Sequence, residues 1–453
     1  MLKNKFNELF NLESRGGLLK FNIFTAFFVK GASMLISLVF VPLVLAWLGK
    51  YSYGIWLTIN SMVGWLSFMD IGLSGGLRLR LQESMTTGEK ALSKMYISTT
   101  YASLAVVTGL AFLATILFMR LWNPDLCSFF QVDNSYEGNL WVIIYFTIGC
   151  FFLRLVLQSI STILLADQRN FIQSITILTE NLLNLAGIFI FKFFFPSNLV
   201  LACILFSITP IFNLLIYTIY LFATRYKEIR PSMSAVNFSY IKSLMTIGVD
   251  VFIINITLVL AGQLSNFIIT KFFSPNDVTD YNLVFRVFSV IGTLYTMAMT
   301  PVWSAFANAY YKKDYTWITN MLNKLLKSYS FLIVVYISLI FVGPFIVRIW
   351  SGIEVTRWDL YVFSAVYYIV QSFMTIYAFM FNGMGVIRLQ RNMAIFGAIV
   401  NVPTAYVLIR YLDMGPSAAI IGTIVAILPS LWLYPLKAKS LLKNIPTSNS
   451  NNF

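Results

Sequence analysis

The sequence predicts an all-α integral membrane protein with twelve transmembrane helices in two lobes of six, and with both termini in the cytoplasm. Three observations predict this fold class. The chain is 58% hydrophobic and only 11% charged, with a mean hydropathy of +0.77, whereas soluble domains carry about 25% charged residues. Its apolar runs reach the roughly 20 residues that a helix needs to cross a bilayer. Its basic residues gather in alternate connections between those runs.

Twelve apolar runs are predicted to cross the membrane, and an even number places both termini on the same side. The runs are 21–48, 54–77, 95–119, 139–166, 171–192, 198–222, 243–271, 281–309, 329–347, 358–383, 393–410 and 416–436.

The basic residues decide which side is cytoplasmic. Of the 32 lysines and arginines, 22 lie in segments that are cytoplasmic if the N-terminus is, 7 lie in the outer segments and 3 lie within the runs. Cytoplasmic loops of membrane proteins carry such an excess. The net charge of +14 is therefore a topology signal, and no nucleic-acid partner is needed to explain it.

Several common catalytic and metal-binding signatures are absent from the sequence. The chain has no histidine, no GxxxxGK[ST] phosphate-binding loop and three cysteines, two of them within apolar runs. We therefore expect no catalytic residue, no metal site, no bound cofactor and no disulfide framework. These features indicate that the protein is not an enzyme.

The basic segment Arg225–Lys242 divides the chain into two sets of six runs. We predict an N-terminal lobe over 1–235 and a C-terminal lobe over 236–453, related by a faint duplication. Six-plus-six repeats are typical of secondary transporters. The alternative is that any chain of twelve runs can be halved in this way.

Charged residues inside the runs are the strongest indication of transport. A charge at mid-bilayer costs about 2.5–3.5 kcal/mol on insertion scales, so it normally faces a partner or a water-filled cavity. Polar stripes at helical spacing accompany these charges, which predicts a hydrated cleft that is basic on balance and suits an anionic head group. The predicted substrate-binding residues are Lys30, Arg154, Arg286, Gln158 and Gln371, and the candidates for ion coupling are Glu180 and Asp250.

Each of these charges also has a structural interpretation. Arg154 and Glu180 lie at similar depths on consecutive runs and could form a fixed ion pair. Lys30 could extend its amine to the interface. Arg286 and Asp250 are close enough to the ends of their runs to act as interfacial anchors.

Polar residues also cluster where the second run reaches the predicted cytoplasmic side, in SFMDIGLSGGLRLRLQES, Ser67–Ser84. Gly72 and Gly76 form a GxxxG pattern, which allows helices to approach closely. We predict that Asp70, Gly72 and Arg78 form an inner gate motif.

The stretch Leu48–Ser84 resembles the signature region of the bacterial polysaccharide flippases, which include the O-antigen (Wzx-type) flippases. These belong to the multidrug/oligosaccharidyl-lipid/polysaccharide (MOP) exporter superfamily. Three elements carry the resemblance: an outer "LG…YG.W" loop, a "D.GL" turn and a basic residue soon after it. In this chain they are Leu48, Gly49, Tyr53, Gly54 and Trp56, then Asp70, Gly72 and Leu73, then Arg78.

The resemblance implies a MATE/MOP-like fold and a function. The function is translocation of undecaprenyl-pyrophosphate-linked oligosaccharide across the bacterial inner membrane by alternating access, with coupling to a proton or sodium gradient as an open question. The implied partners are this lipid-linked oligosaccharide, membrane lipids, and a polysaccharide polymerase with its chain-length regulator. The alternatives are a drug antiporter of the MATE branch, whose cleft should be acidic, and a membrane polysaccharide polymerase.

Overall fold

The computed structural model describes residues 15–70, 72–245, 264–386 and 388–443, and these residues contain helices and turns with no strand. They belong to two compact units, Met1–Ile256 and Thr257–Phe453. The helices of the first unit are α1 Arg15–Trp65, α2 Leu73–Thr86, α3 Lys90–Trp122, α4 Leu126–Phe130, α5 Glu137–Leu157, α6 Ser159–Ala166, α7 Asn170–Phe194 and α8 Leu199–Ala223. Those of the second unit are α9 Pro275–Tyr311, α10 Tyr315–Ser351, α11 Trp358–Gly383, α12 Arg388–Leu412, α13 Ala418–Ile427 and α14 Ser430–Lys443.

Helix α1 contains the first predicted span and the first half of the second. Its 51 residues would measure about 76 Å if straight, more than twice the thickness of the bilayer's hydrocarbon core. Gly49 breaks the run with φ 76° and ψ 166°, a backbone conformation that glycine adopts without steric cost. The break falls between the predicted spans 21–48 and 54–77.

Ten helices among the described residues are long and apolar enough to cross a membrane. One of them, Phe28–Trp65, overlaps both of the first two predicted spans. The predicted seventh span, 243–271, falls largely outside the described residues. The fold class predicted from the sequence is confirmed as an all-helical, multi-pass membrane protein, while the side on which the termini lie stays a prediction.

Three predicted spans are interrupted in the structure, and one of them, the fourth, is broken at Gln158 between α5 and α6. The second was expected to continue to residue 77, but a 3₁₀ turn over Leu66–Asp70 ends it and α2 begins at Leu73. The twelfth is broken between α13 and α14, where Pro429 lies and has no N–H to continue the helical hydrogen bonds.

Each unit has a hydrophobic core at the predicted cytoplasmic ends of its helices. In the first unit Leu77, Ile97, Ile160 and Leu244 are fully buried together. In the second unit the core gathers around Phe306, Ile318, Ile376, Met380 and Phe381. The halves of the helices towards the predicted outer side instead expose large apolar side chains, as lipid-facing helices do; among them are Leu113, Leu117, Phe341 and Phe345.

Candidate functional site

The signature loop at the predicted outer side is built around a glycine with a positive φ. Leu48 and Tyr53 on either side of Gly49 are buried. Trp56 packs against Phe206, with ring centroids 5.0 Å apart. The positive φ of Gly49 therefore turns the chain while its neighbours anchor both sides of the turn.

The signature turn at the predicted inner side is a helix start. Asp70 Oδ1 accepts hydrogen bonds from Ser74 N at 3.2 Å and from Ser74 Oγ at 2.7 Å. Gly72 adopts φ 76°, and Leu73 is buried in the core of the first unit. A carboxylate at a helix N-terminus satisfies a free N–H and faces the positive end of the helix dipole. The "D.GL" pattern thus supplies a cap, a left-handed turn and a core anchor.

Gly76 is where another part of the chain approaches α2 most closely. A Cβ placed on Gly76 would overlap the backbone carbonyl of Leu244. The predicted GxxxG pair is wrong in one respect, because Gly72 precedes the helix and does not share a helical face with Gly76. Arg78 is exposed, and the gating role predicted for Asp70, Gly72 and Arg78 stays a prediction.

Arg154 and Glu180 form an ion pair. Arg154 Nη2 donates to Glu180 Oε1 at 3.0 Å. Arg154 lies on α5, 12 residues before the end of α6, and Glu180 lies 10 residues after the start of α7. At 1.5 Å per residue these positions are about 18 and 15 Å from the shared turn, which is near the middle of a hydrocarbon core of about 30 Å.

The ion pair is accessible. The side chains of Arg154 and Glu180 are 36% and 19% exposed. Only one guanidinium nitrogen of Arg154 is used in a hydrogen bond to the described residues. A guanidinium presents five N–H donors and binds carboxylates and phosphates in a bidentate manner. Arg154 can therefore accept an anion before it releases Glu180.

The other predicted site residues are distributed over both units. Lys30 is exposed on α1, and Gln158 is exposed at the turn between α5 and α6, one helical turn after Arg154. Arg286 on α9 and Gln371 on α11 are half-buried in the second unit. Asp250 lies outside the described residues. The structure brings Arg154 and Glu180 together, and the cationic cleft as a whole stays a prediction.

A second polar contact in the first unit was not predicted from the sequence. Asn213 on α8 is buried; its Nδ2 donates to Thr176 O, and its Oδ1 accepts from Thr179 Oγ1, both at 2.9 Å. Thr176 lies one helical turn before Glu180, and this spacing alone predicts that the two share a face of the helix. Instead it lies in the contact between α7 and α8. The available signal was a single asparagine shortly after Pro210 in an apolar run, since polar side chains hold membrane helices together.

A charged cluster at the predicted cytoplasmic side was also missed. Asp167 Oδ2 accepts from Arg169 Nε and Arg225 Nε at 3.0 Å and from Tyr226 Oη at 2.9 Å. Burial, followed by the negative charge of Asp167, raises the pKa of Tyr226 above its usual range. Beside this cluster is a cavity of about 360 Å³, whose lining includes Lys90 and Glu228. In the part of the chain that the structure describes, no acidic or cysteine side chains cluster as a metal site would require.

The chain is similar to a known protein family. Residues 19–306 match a family model described as polysaccharide biosynthesis protein. No curated protein sequence matches the chain.

Solved structures show what the fold is similar to. One is the inward-facing conformation of a multidrug resistance MATE family transporter of the MOP superfamily, with 14% identity, a TM-score of 0.70, and coverage of 93% of this chain and 96% of that one. Another is the lipid II flippase MurJ in an inward closed conformation, with 13% identity, a TM-score of 0.69, and coverage of 91% and 87%. The MATE-like fold predicted from the sequence is confirmed.

Proposed function

Because the chain belongs to the polysaccharide biosynthesis protein family, we propose that it is a flippase for undecaprenyl-pyrophosphate-linked oligosaccharide. It carries repeat units of O-antigen or a related surface polysaccharide across the bacterial inner membrane by alternating access. The family match confirms, at the level of the family, the resemblance seen in Leu48–Ser84. The similarity to a protein described as a lipid II flippase supports a lipid-linked substrate.

The observation that carries the proposal is the accessible guanidinium of Arg154. It lies at mid-span with most of its donors uncommitted to the described residues. Since a charge in this position is costly unless it meets a partner or water, a substrate anion that replaces water there would be bound strongly. A pyrophosphate head group has that chemistry. Lys30 and Arg286 are proposed to contact the same head group or acidic sugars at other stages of transport.

Glu180 is proposed as the coupling residue, with Asp250 as a second candidate. When phosphate occupies Arg154, Glu180 loses its counter-charge, and a proton or Na⁺ can take that place. Release of the substrate lets the Arg154–Glu180 pair close again and expel the cation. This exchange links cation uptake to substrate movement with two residues.

The rival function is drug antiport of the MATE type, which has the same fold. A site for cationic drugs should be acidic on balance. The residues predicted to line the cleft are instead three bases, Lys30, Arg154 and Arg286, and two acids, Glu180 and Asp250. This charge balance favours an anionic substrate.

The test neutralises the three bases one at a time. We expect Lys30→Gln, Arg154→Gln and Arg286→Gln each to reduce surface polysaccharide at least 10-fold at unchanged protein level in the membrane. Arg154→Lys should retain part of the activity because it keeps the charge. Arg120→Gln, which removes an exposed arginine near the end of α3, is the matched control and should export normally.

Normal export by all three neutral variants would disprove the cationic site. A second assay separates the two functions in proteoliposomes. The flippase should translocate a fluorescent undecaprenyl-pyrophosphate-linked glycan and leave ethidium where it is, whereas an antiporter should do the opposite.

A further inference from the structure

The segment that leads from the first unit towards the second is docked along its length on the first unit. We call residues 224–245 the strap. Its first part follows α8 and contributes Arg225 and Tyr226 to the cluster around Asp167. Tyr226, Ile229 and Leu244 are buried. Linkers between independently moving units are usually exposed, with few contacts, and the strap does not fit that description.

The middle of the strap follows the predicted cytoplasmic end of α3. Glu228 forms an ion pair with Lys90, and Ser232 N donates to Ser98 Oγ at 3.0 Å. Further along, Asn237 and Thr99 exchange two hydrogen bonds: Asn237 N donates to Thr99 Oγ1 at 3.0 Å, and Thr99 Oγ1 donates to Asn237 O at 3.3 Å.

The end of the strap meets the signature turn. Tyr240 stacks edge-on against Tyr96 with ring centroids 5.3 Å apart. Leu244 follows, in the helical residues 240–245, with its backbone carbonyl against Gly76. Gly76 occupies the first turn of α2, where its N–H donates to Gly72 O at 3.0 Å. The Asp70–Gly72 turn therefore sets the position of the residue that receives the strap.

We propose that the strap stays fixed to the first unit throughout the transport cycle, and that Gly76 is a positioning residue that sets where Leu244, at the end of the strap, lies on that unit. The role of the signature turn is then to position the end of the strap. Substrate contact is not needed to explain it. Transport is a readout that depends on the proposed flippase function. Cross-linking and hydrogen exchange do not depend on it.

The first experiment tests whether the strap stays docked. Ser98→Cys and Ser232→Cys are introduced together in a chain whose Cys127, Cys150 and Cys203 are replaced by serine. We expect oxidation to cross-link the pair and surface polysaccharide export to stay within 2-fold of the reduced protein. Failure to cross-link, or loss of export that a reductant restores, would overturn the proposal. The two single-cysteine variants, treated with the same oxidant, are the controls.

The second experiment tests Gly76. Gly76→Ala should displace the Leu244 carbonyl and speed amide hydrogen exchange at 237–245 about 10-fold, with exchange in the rest of α3 unchanged. Export should fall several-fold while binding of the lipid-linked glycan is retained. Gly109→Ala in α3 is the matched control, because a Cβ there has open space. Unchanged exchange at 237–245, or faster exchange throughout the unit, would show that Gly76 does not position the strap.

Discussion

Two charged sites of the first unit use the same side-chain chemistry in different ways. At mid-span, Arg154 and Glu180 share one hydrogen bond, and the other N–H donors of the guanidinium make no hydrogen bond to the described residues. At the predicted cytoplasmic end, one oxygen of Asp167 accepts three hydrogen bonds from two arginines and a tyrosine. An anion can replace the first contact by breaking one hydrogen bond, whereas three hydrogen bonds from separate residues hold the second. The difference indicates a site for exchange at mid-span and a site for fixation at the membrane surface.

The two charged sites also differ in their surroundings, because one lies inside the bilayer and the other at its surface. In the bilayer interior a charge without a partner is costly, so Glu180 cannot lose Arg154 unless a cation replaces it. At the interface water competes for every group, and an exposed ion pair contributes only about 0–1 kcal/mol. A cluster there needs several simultaneous hydrogen bonds to hold its elements in place. Neutralising a charge should therefore affect transport at the first site and stability at the second.

The largest effect is expected at Glu180. If the pair exchanges partners, Glu180→Gln should abolish the dependence of transport on the pH gradient in proteoliposomes, while the protein still binds lipid-linked glycan. The amide cannot take up the proton that the carboxylate takes up. Glu354→Gln, at an exposed glutamate, is the control and should keep the dependence.

A fixed ion pair predicts a different pattern. Removing one partner of a fixed pair inside the membrane leaves the other charge uncompensated, so Glu180→Gln would be unstable. Adding Arg154→Gln would then restore stability and transport together. Recovery of pH-dependent transport in that double variant would rule out coupling through Glu180.

A smaller effect is expected at Asp167. Asp167→Asn keeps the shape but removes the charge that three donors share, and the loss should be about 1–3 kcal/mol of unfolding free energy. Thermal unfolding in detergent should shift down by several degrees, while export per folded molecule stays near normal. If export falls without a shift in unfolding temperature, the cluster takes part in transport. Asp413→Asn, at an exposed aspartate of the second unit, is the control.

Sequence patterns could predict the features that depend on neighbouring residues along the chain. Apolar runs show the spans because the bilayer requires about 20 such residues, and Gly49 and Gly72 lie where the chain must turn. Contacts between distant segments were harder to predict. Two partners of Asp167, Arg225 and Tyr226, lie at the start of the strap, 58 and 59 residues away along the chain. Thr176 has the right spacing for the polar stripe of Glu180, but which helix it faces depends on packing.

The smallest effect is expected at the Lys90–Glu228 ion pair on the strap. Lys90 lowers the pKa of Glu228 by hydrogen bonding and by its charge. A carboxylate whose pKa is lower in the folded state contributes stability above its unfolded pKa of about 4.3, and that contribution disappears as the pH falls through the lowered value. Both side chains are 68% exposed, so solvent screens the pair.

Glu228→Gln should therefore leave the unfolding temperature at pH 7 within 1 °C or so of the parent, because surface pairs of this kind contribute almost nothing. The same substitution should change the salt dependence of the unfolding temperature only slightly. The docked strap has its other contacts to Ser98, Thr99 and Gly76. A large loss of stability or export in Glu228→Gln would mean that this pair holds the strap, and the hydrogen bonds to α3 would then be secondary.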